Sequence, residues 1–316
     1  MRQTYTITAN GLEESALKNS MLLLYRGPSL EEKNEIIEAY NLPEDVFDFD
    51  DLPTVAPRIE FLYNEKLGDT LIFVFSNIVR TEENSSVEAR LETHTFILGQ
   101  EKMFWITNKD TATLNQELIE LKSFTIDSLE SVILNAGLLS YTHFTAELAK
   151  QKRIIDQLNQ TVVDSTKRQV LIDVSETERN MVMLRHTIDT QEVAFTRLLR
   201  NESFLEKLDN SHLVHDITWY NRQVQKLVSV YRDLLDTASS LFSDIMSNNL
   251  NKLMKFLSSL SLVLGASGLV GELWGMNTGG LPFEEAPYGT WIILGAAFLV
   301  GVSMYMYLKN REYFDD

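Results

Sequence analysis

Residues 253–277 read LMKFLSSLSLVLGASGLVGELWGMN, and residues 288–308 read YGTWIILGAAFLVGVSMYMYL. The first apolar run, Leu253–Leu273, has one lysine near its start, Lys255, and one carboxylate near its end, Glu272; the second has no charge. Each can cross a hydrocarbon core of ~30 Å as a helix. Trp274, Trp291, Tyr305 and Tyr307 lie near the ends, where aromatic belts form. The 14 residues between the runs make the pair a hairpin. A buried hairpin in a soluble protein would need both runs covered on all sides, and is set aside. Lys252 and Lys255 flank the first run, and Lys309 and Arg311 the second, whereas the short connection carries Glu284, Glu285 and no basic residue. Under the positive-inside rule both termini are cytoplasmic and the connection faces out.

Upstream, no glycine or proline occurs between Gly137 and Gly265. These residues punctuate loops and break helices, so the gap predicts long helices. Apolar residues inside it recur at three- and four-residue spacing, as in Leu227, Tyr231, Leu234, Leu235, Ala238, Leu241, Phe242 and Ile245. The last helix is expected to run from about Asp209 into the first apolar run, a rod on the order of 100 Å at ~1.5 Å per residue.

Residues 1–125 read as an α/β domain. Short β-rich runs occur at Thr4–Thr8, Met21–Tyr25, Ile59–Tyr63, Thr70–Phe75, Arg90–Leu98 and Met103–Thr107. Between the second and third, Ser29 with Glu32 three residues on forms a capping box that opens a helix. The expected organisation is a cytoplasmic α/β domain at 1–125, a long-helix stalk at 126–252, a transmembrane pore helix at 253–274, an outer loop at 275–288, a second transmembrane helix at 289–308 and a cytoplasmic tail at 309–316.

The net charge of −17 argues against nucleic acid as partner, since phosphates require Lys and Arg. It suits a surface that meets cations, although a single acidic cluster more often only solvates a face. There is no cysteine, which excludes disulfides, thiolate zinc sites and thiol catalysis. Met1–Glu13 has neither a basic nor an apolar leader region, so no cleaved signal peptide is expected. The five histidines, His94, His143, His186, His212 and His215, show no metal-ligand spacing beyond a weak His-x-x-His. No phosphate loop or nucleophile elbow is present, and no enzymatic activity is expected.

Two spans cannot enclose an aqueous path, so a channel requires a closed ring of copies. The first run is the better wall, with Ser258, Ser259, Ser261, Gly265, Ser267, Gly268 and Gly271 along it. Small residues at this spacing also let helices approach closely, and both uses can coexist on two faces. After the run come Trp274-Gly275-Met276-Asn277; a glycine ends a helix tolerably, and Asn277 offers a carbonyl oxygen. Several such oxygens on one axis suit Mg²⁺, a hard ion that keeps its first-shell water.

At these residues the sequence resembles the CorA family of Mg²⁺ transporters, whose hallmark is Gly-Met-Asn at the end of the first of two C-terminal spans. The resemblance extends over the whole chain in organisation. It implies a funnel-shaped homopentamer in the cytoplasmic membrane, with Gly275, Met276 and Asn277 as the selectivity filter. Counting back from the motif, family pore-facing positions fall on Gly268, Gly265, Leu257, Met254 and Asn251. Leu257 and Met254 would be the hydrophobic constriction and Asn251 a polar ring at the inner mouth; Ser261 belongs with the pore-lining set. The family senses intracellular Mg²⁺ through carboxylates between subunits, which the same count places at Asp216 with a partner near Glu82.

There are departures. The loop Thr278-Gly279-Gly280-Leu281-Pro282-Phe283 looks more like the ZntB branch, associated with Zn²⁺, and Ala266 stands where many relatives have proline. Glu272 occupies a position that is normally small. Facing the axis, it forms a carboxylate ring just inside Asn277; facing a neighbouring helix, it is only a costly charge. Intramembrane ionisable groups are functional by default, which favours the ring. Without cysteine, soft-ligand selection of Zn²⁺ is hard to build, which favours Mg²⁺, with Zn²⁺, Co²⁺ and Ni²⁺ as further candidate ions. A ZntB-like Zn²⁺ transporter and a non-conducting, membrane-anchored oligomeric scaffold are the alternative functions.

Overall fold

The computed structural model describes residues 2–8, 11–47, 57–80, 85–109, 113–120, 124–164, 168–208, 210–283 and 286–310. The chain divides into two compact units, Met1–Ser239 and Ser240–Asp316.

The first unit is built on a seven-stranded sheet: β1 (Arg2–Thr8), β2 (Gly11–Glu14), β3 (Leu22–Arg26), β4 (Arg58–Asn64), β5 (Gly68–Ile78), β6 (Leu91–Leu98) and β7 (Met103–Thr107). Its order is β2-β1-β3-β7-β6-β5-β4, with β3 and β7 parallel and every other pair antiparallel. β6 and β7 are buried along their whole length, as is most of β5. Burial along the whole length belongs to strands covered on both faces. Alternate residues serve the two sides. Leu23, Tyr25, Ile72, Val74, Phe104 and Ile106 pack with Ile36 and Phe47, from helix α1 (Leu30–Tyr40) and the short 3-10 turn Glu44–Phe47. Leu22, Leu24, Phe73, Phe75, Phe96 and Trp105 face the opposite core. That core is closed by α3 (Leu114–Glu120), α4 (Leu129–Asp164), α5 (Arg168–Leu198) and the N-terminal part of α7 (Ser211–Trp274). Two single-turn helices, α2 (Val87–Arg90) and α6 (Glu202–Leu205), complete the unit.

The capping box forms as expected: Ser29 Oγ accepts from Glu32 N at 3.2 Å, and Glu32 Oε2 accepts from Ser29 N at 2.9 Å. The glycine-free stretch is helical in α4, α5 and α7. Gly137, just before it, has a packing reason. A Cβ there would stand 2.5 Å from Phe195 Cζ of α5 and 2.9 Å from Ile217 Cδ1 of α7. Two local differences from the sequence reading appear. β2 is an additional strand, an edge too short and polar to show a period. Arg90 closes α2 instead of opening β6, because Ser86 Oγ caps that turn on Ala89 N. Helix α7 begins at Ser211; Asp209 lies outside the described residues.

The second unit contains the C-terminal part of α7 and α8 (Gly289–Asn310). Both helices are long and apolar enough to cross a membrane. Leu253, Phe256, Leu260, Leu264, Leu269, Trp291, Phe298 and Leu299 are exposed large apolar side chains on them. Contiguous exposure of this kind marks a surface that meets lipid or another protein.

Candidate ion pathway and regulatory residues

Helix α7 ends at Trp274, and the Gly275 N–H still donates to Gly271 O at 2.9 Å. A Cβ on Gly275 would lie 3.3 Å from that same carbonyl, so the glycine eases the exit from the helix. Thr278 N donates to Met276 O at 2.9 Å, a three-residue turn with Asn277 at its centre. Met276 and Asn277 are both exposed. The Trp274 indole N–H donates to Pro282 O at 3.0 Å and ties the returning loop to the helix end. Gly280 (φ 90°) and Phe283 (φ 67°) turn through the left-handed region, and two consecutive turns lead into α8, with Ala286 N donating to Phe283 O at 3.1 Å and Gly289 N to Ala286 O at 2.9 Å. Glu284 and Glu285 lie outside the described residues.

The faces of α7 separate cleanly. Ser259 is buried, and Val263, Ala266, Ser267, Val270 and Trp274 are half-buried. At about 100° per residue these six fall on one stripe roughly 100° wide. Gly301 of α8 sits against this stripe at Ser267 and Val263, and a crevice of about 260 Å³ beside it is lined by Val263, Ser267, Phe298 and Tyr305. The residues expected to line a pore are Asn251, Met254, Leu257, Ser261, Gly265, Gly268 and Glu272, and all are exposed. By the same rotation they form a second stripe, centred about 180° from the first. Gly265, Gly268 and Gly271 have open space where a Cβ would be. Within one chain, then, these three glycines serve no helix contact, whereas Gly301 does.

Asp216, near the start of α7, is exposed, with His215 Nδ1 3.6 Å from its Oδ1. Glu82 lies outside the described residues. Among the described residues no group of three or more His, Cys, Asp or Glu converges as a metal site.

Sequence reasoning missed a buried polar chain in the first unit. The Trp105 indole N–H donates to His94 Nδ1 at 3.0 Å, and a ring nitrogen that accepts leaves the proton on the other. His94 Nε2–H therefore donates to Glu92 Oε1 at 3.0 Å, which also accepts from Asn77 Nδ2 at 2.6 Å. Asn77 Oδ1 faces His143 Nδ1 at 3.0 Å, and His143 Nε2 meets Glu117 Oε2 at 2.9 Å. Burial pushes the His143 imidazole below its ordinary range, against the opposing pull of the Glu117 carboxylate. The one legible signal was Glu92 and His94 two apart on a strand, hence on one face. Nothing in the spacing pointed to Asn77, Glu117 or His143.

An α/β unit followed by two adjoining C-terminal helices able to cross a membrane, the first ending just before Gly-Met-Asn, defines a two-span membrane transport protein. The chain belongs to the CorA-like Mg²⁺ transporter protein family, whose model matches residues 23–310. This is a family of transporters and not of enzymes. The chain is 20% identical over 259 residues to the cobalt/magnesium transport protein CorA of Thermotoga maritima, covering 81% of this chain and 72% of that one. Its fold matches the complete CorA magnesium transporter of Methanocaldococcus jannaschii at a TM-score of 0.74, with 13% identity over 98% of this chain and 96% of that chain. The cytoplasmic domain of ZntB from Vibrio parahaemolyticus matches at 0.60, with 12% identity over 78% of this chain and 96% of that domain. At these identities the structural likenesses establish the fold alone.

Proposed function

We propose that the chain forms a homo-oligomeric ring, a pentamer, in the cytoplasmic membrane and conducts largely hydrated Mg²⁺ along the α7 helices. The observation that carries this reading is the division of α7 into two faces. One is occupied by α8, and the other presents Asn251, Met254, Leu257, Ser261, Gly265, Gly268 and Glu272 with no cover from its own chain. In a ring with the second face inward, Leu257 and Met254 form the narrow apolar collar. Glu272 and then Gly275-Met276-Asn277 form the outer, oxygen-rich mouth. Such a mouth accepts hydrogen bonds from the ion's water shell and need not strip it. Co²⁺ and Ni²⁺ pass by the same chemistry; a Thermotoga maritima relative carries cobalt and magnesium in its name. Both termini lie in the cytoplasm, and Asp216 with Glu82 senses internal cation between subunits.

The test is reconstitution of the full chain in liposomes with an entrapped cation-sensitive dye. Uptake of Mg²⁺ down its gradient supports the channel; absence of flux for every divalent ion and gradient leaves only a non-conducting scaffold. A second reading, Zn²⁺ transport, is favoured by the loop Gly279-Gly280-Leu281-Pro282. Faster Zn²⁺ than Mg²⁺ uptake, enhanced by an imposed proton gradient, would establish it instead.

A further inference from the structure

Residues 275–281 follow the end of α7 and contain the whole of Gly275-Met276-Asn277. Three of them are glycine, Gly275, Gly279 and Gly280, and a Cβ at Gly279 or Gly280 would meet nothing within 4 Å. Glycine has the most backbone freedom to lose, so the segment has little of its own to fix its course. Inside it one hydrogen bond closes among the described residues, Thr278 N to Met276 O at 2.9 Å. The bond that spans it comes from a side chain: Trp274 Nε1–H donates to Pro282 O at 3.0 Å. Among the described residues no other hydrogen bond joins residues 276–283 to α7. The far end is fixed separately. Phe283 takes φ 67°, which a side chain rarely adopts, and its carbonyl accepts from Ala286 N at 3.1 Å. A Cβ at Gly289 would collide with that same oxygen, so α8 starts in close contact with it.

Half-buried Trp274 belongs to the α8 side of α7, with Ser259 and Ser267, and lies away from the face of Asn251, Leu257 and Gly268. Its indole therefore does not border the ion path; what it can set is where Asn277 stands. The Asn277 side chain is exposed and bonds no described residue, so the course of the backbone decides its place. One hydrogen bond of this kind shifts a two-state equilibrium by roughly two- to tenfold. In a closed ring the mouth is complete only when every copy holds its turn, so that factor compounds over the copies.

We infer that Trp274 is a positioning residue for the outer mouth: its N–H latches residues 275–281 into a closed loop and so sets which hydrated ion Asn277 accepts. This rests on the transport reading above. The test uses the full chain, whose lack of cysteine lets a single nitroxide label be placed through Thr278→Cys, an exposed position. Label mobility is recorded by electron paramagnetic resonance in detergent, and uptake of Mg²⁺ and of Co²⁺ is measured in liposomes on chains without the added cysteine. Trp274→Phe keeps an aromatic ring and removes the donor. It is expected to loosen the label and to change the ratio of Mg²⁺ to Co²⁺ uptake at least threefold, with oligomer size unaltered. The benzothiophene analogue of tryptophan at the same position has sulfur in place of N–H and nearly the same outline. It removes the donor without the loss of volume and should act alike. Trp291→Phe, at another exposed indole, should alter neither readout. A merely structural loss lowers the uptake of both ions by one factor and leaves their ratio alone. An unchanged label in both donor-free chains overturns the latch. An unchanged ratio, or an equal change with Trp291→Phe, overturns its control of the mouth. No flux of either ion from the unmodified chain overturns the transport reading instead, and label mobility, which needs no transport, tells the two failures apart.

Discussion

Gly301 of α8 stands directly against Ser267 of α7: a Cβ added at Gly301 would lie 2.5 Å from Ser267 Oγ and 3.9 Å from Val263 Cγ1. The Ser267 hydroxyl donates to Val263 O at 2.8 Å, so its oxygen is held along the helix while Gly301 approaches. This contact settles which side of α7 is taken by α8, and so which side is left over.

A side chain at Gly301 should therefore separate the two helices. Gly301→Leu is expected to destabilise the second unit by about 1–3 kcal/mol, the usual cost of overpacking. Gly295→Leu, on the same helix with open space at its Cβ, should cost little. Thermal denaturation of both variants in one detergent checks this; equal midpoints for the two would mean that α7 and α8 do not meet at Ser267.

Glu272 lies one turn before Gly275-Met276-Asn277 and on the face away from α8. If copies of that face surround an axis, their carboxylates raise the local cation concentration at the outer entrance. Glu272→Gln should then raise the Mg²⁺ concentration needed for half-maximal uptake, most strongly at low ionic strength, where screening is weakest. An unchanged concentration dependence would turn Glu272 away from the axis.

Asn277 sits at the centre of a three-residue turn closed by main-chain atoms, so its side chain is not needed to hold the turn. Asn277→Ala should leave thermal stability and oligomer size unaltered while reducing uptake by more than about tenfold, equivalent to ~1.4 kcal/mol in the barrier. Uptake at the native rate by that variant would exclude a filter role for the amide.

The contrast between the helical and the buried polar parts shows what sequence carries. Apolar length and the glycine gap made α4, α5, α7 and α8 visible, because a helix declares itself through its own period. Short runs rich in β-branched and aromatic residues made β1 and β3–β7 visible. The order β2-β1-β3-β7-β6-β5-β4 could not be read, since it depends on pairings between residues far apart, such as Leu24 with Trp105. The small residues of α7 looked alike in sequence. Only the partner helix separates Ser259 and Ser267 from Ser261, Gly265 and Gly268. The chain from Trp105 to Glu117 was invisible because β5, β6, β7, α3 and α4 each contribute one or two of its members.

That polar chain makes the first unit sensitive to acid. His143 is held below the ordinary imidazole range chiefly by burial, while in the unfolded chain it takes up a proton near pH 6.5. Below that pH the unfolded state binds more protons than the folded state, so stability falls as pH falls and is fully present above it. Glu147 acts in the same direction at lower pH. Burial pushes its carboxyl up, but the Arg90 and Gln151 hydrogen bonds outweigh this and leave it below its usual range, so its contribution is lost as pH drops through that lowered value. The melting temperature of the full chain should therefore decline from pH 7.5 to pH 5.5. His143→Gln, which removes the titrating ring and keeps a polar group beside Asn77, should flatten that decline. A wild-type melting temperature that rises on acidification, or a variant with the same slope, would show that His143 is not the group that titrates.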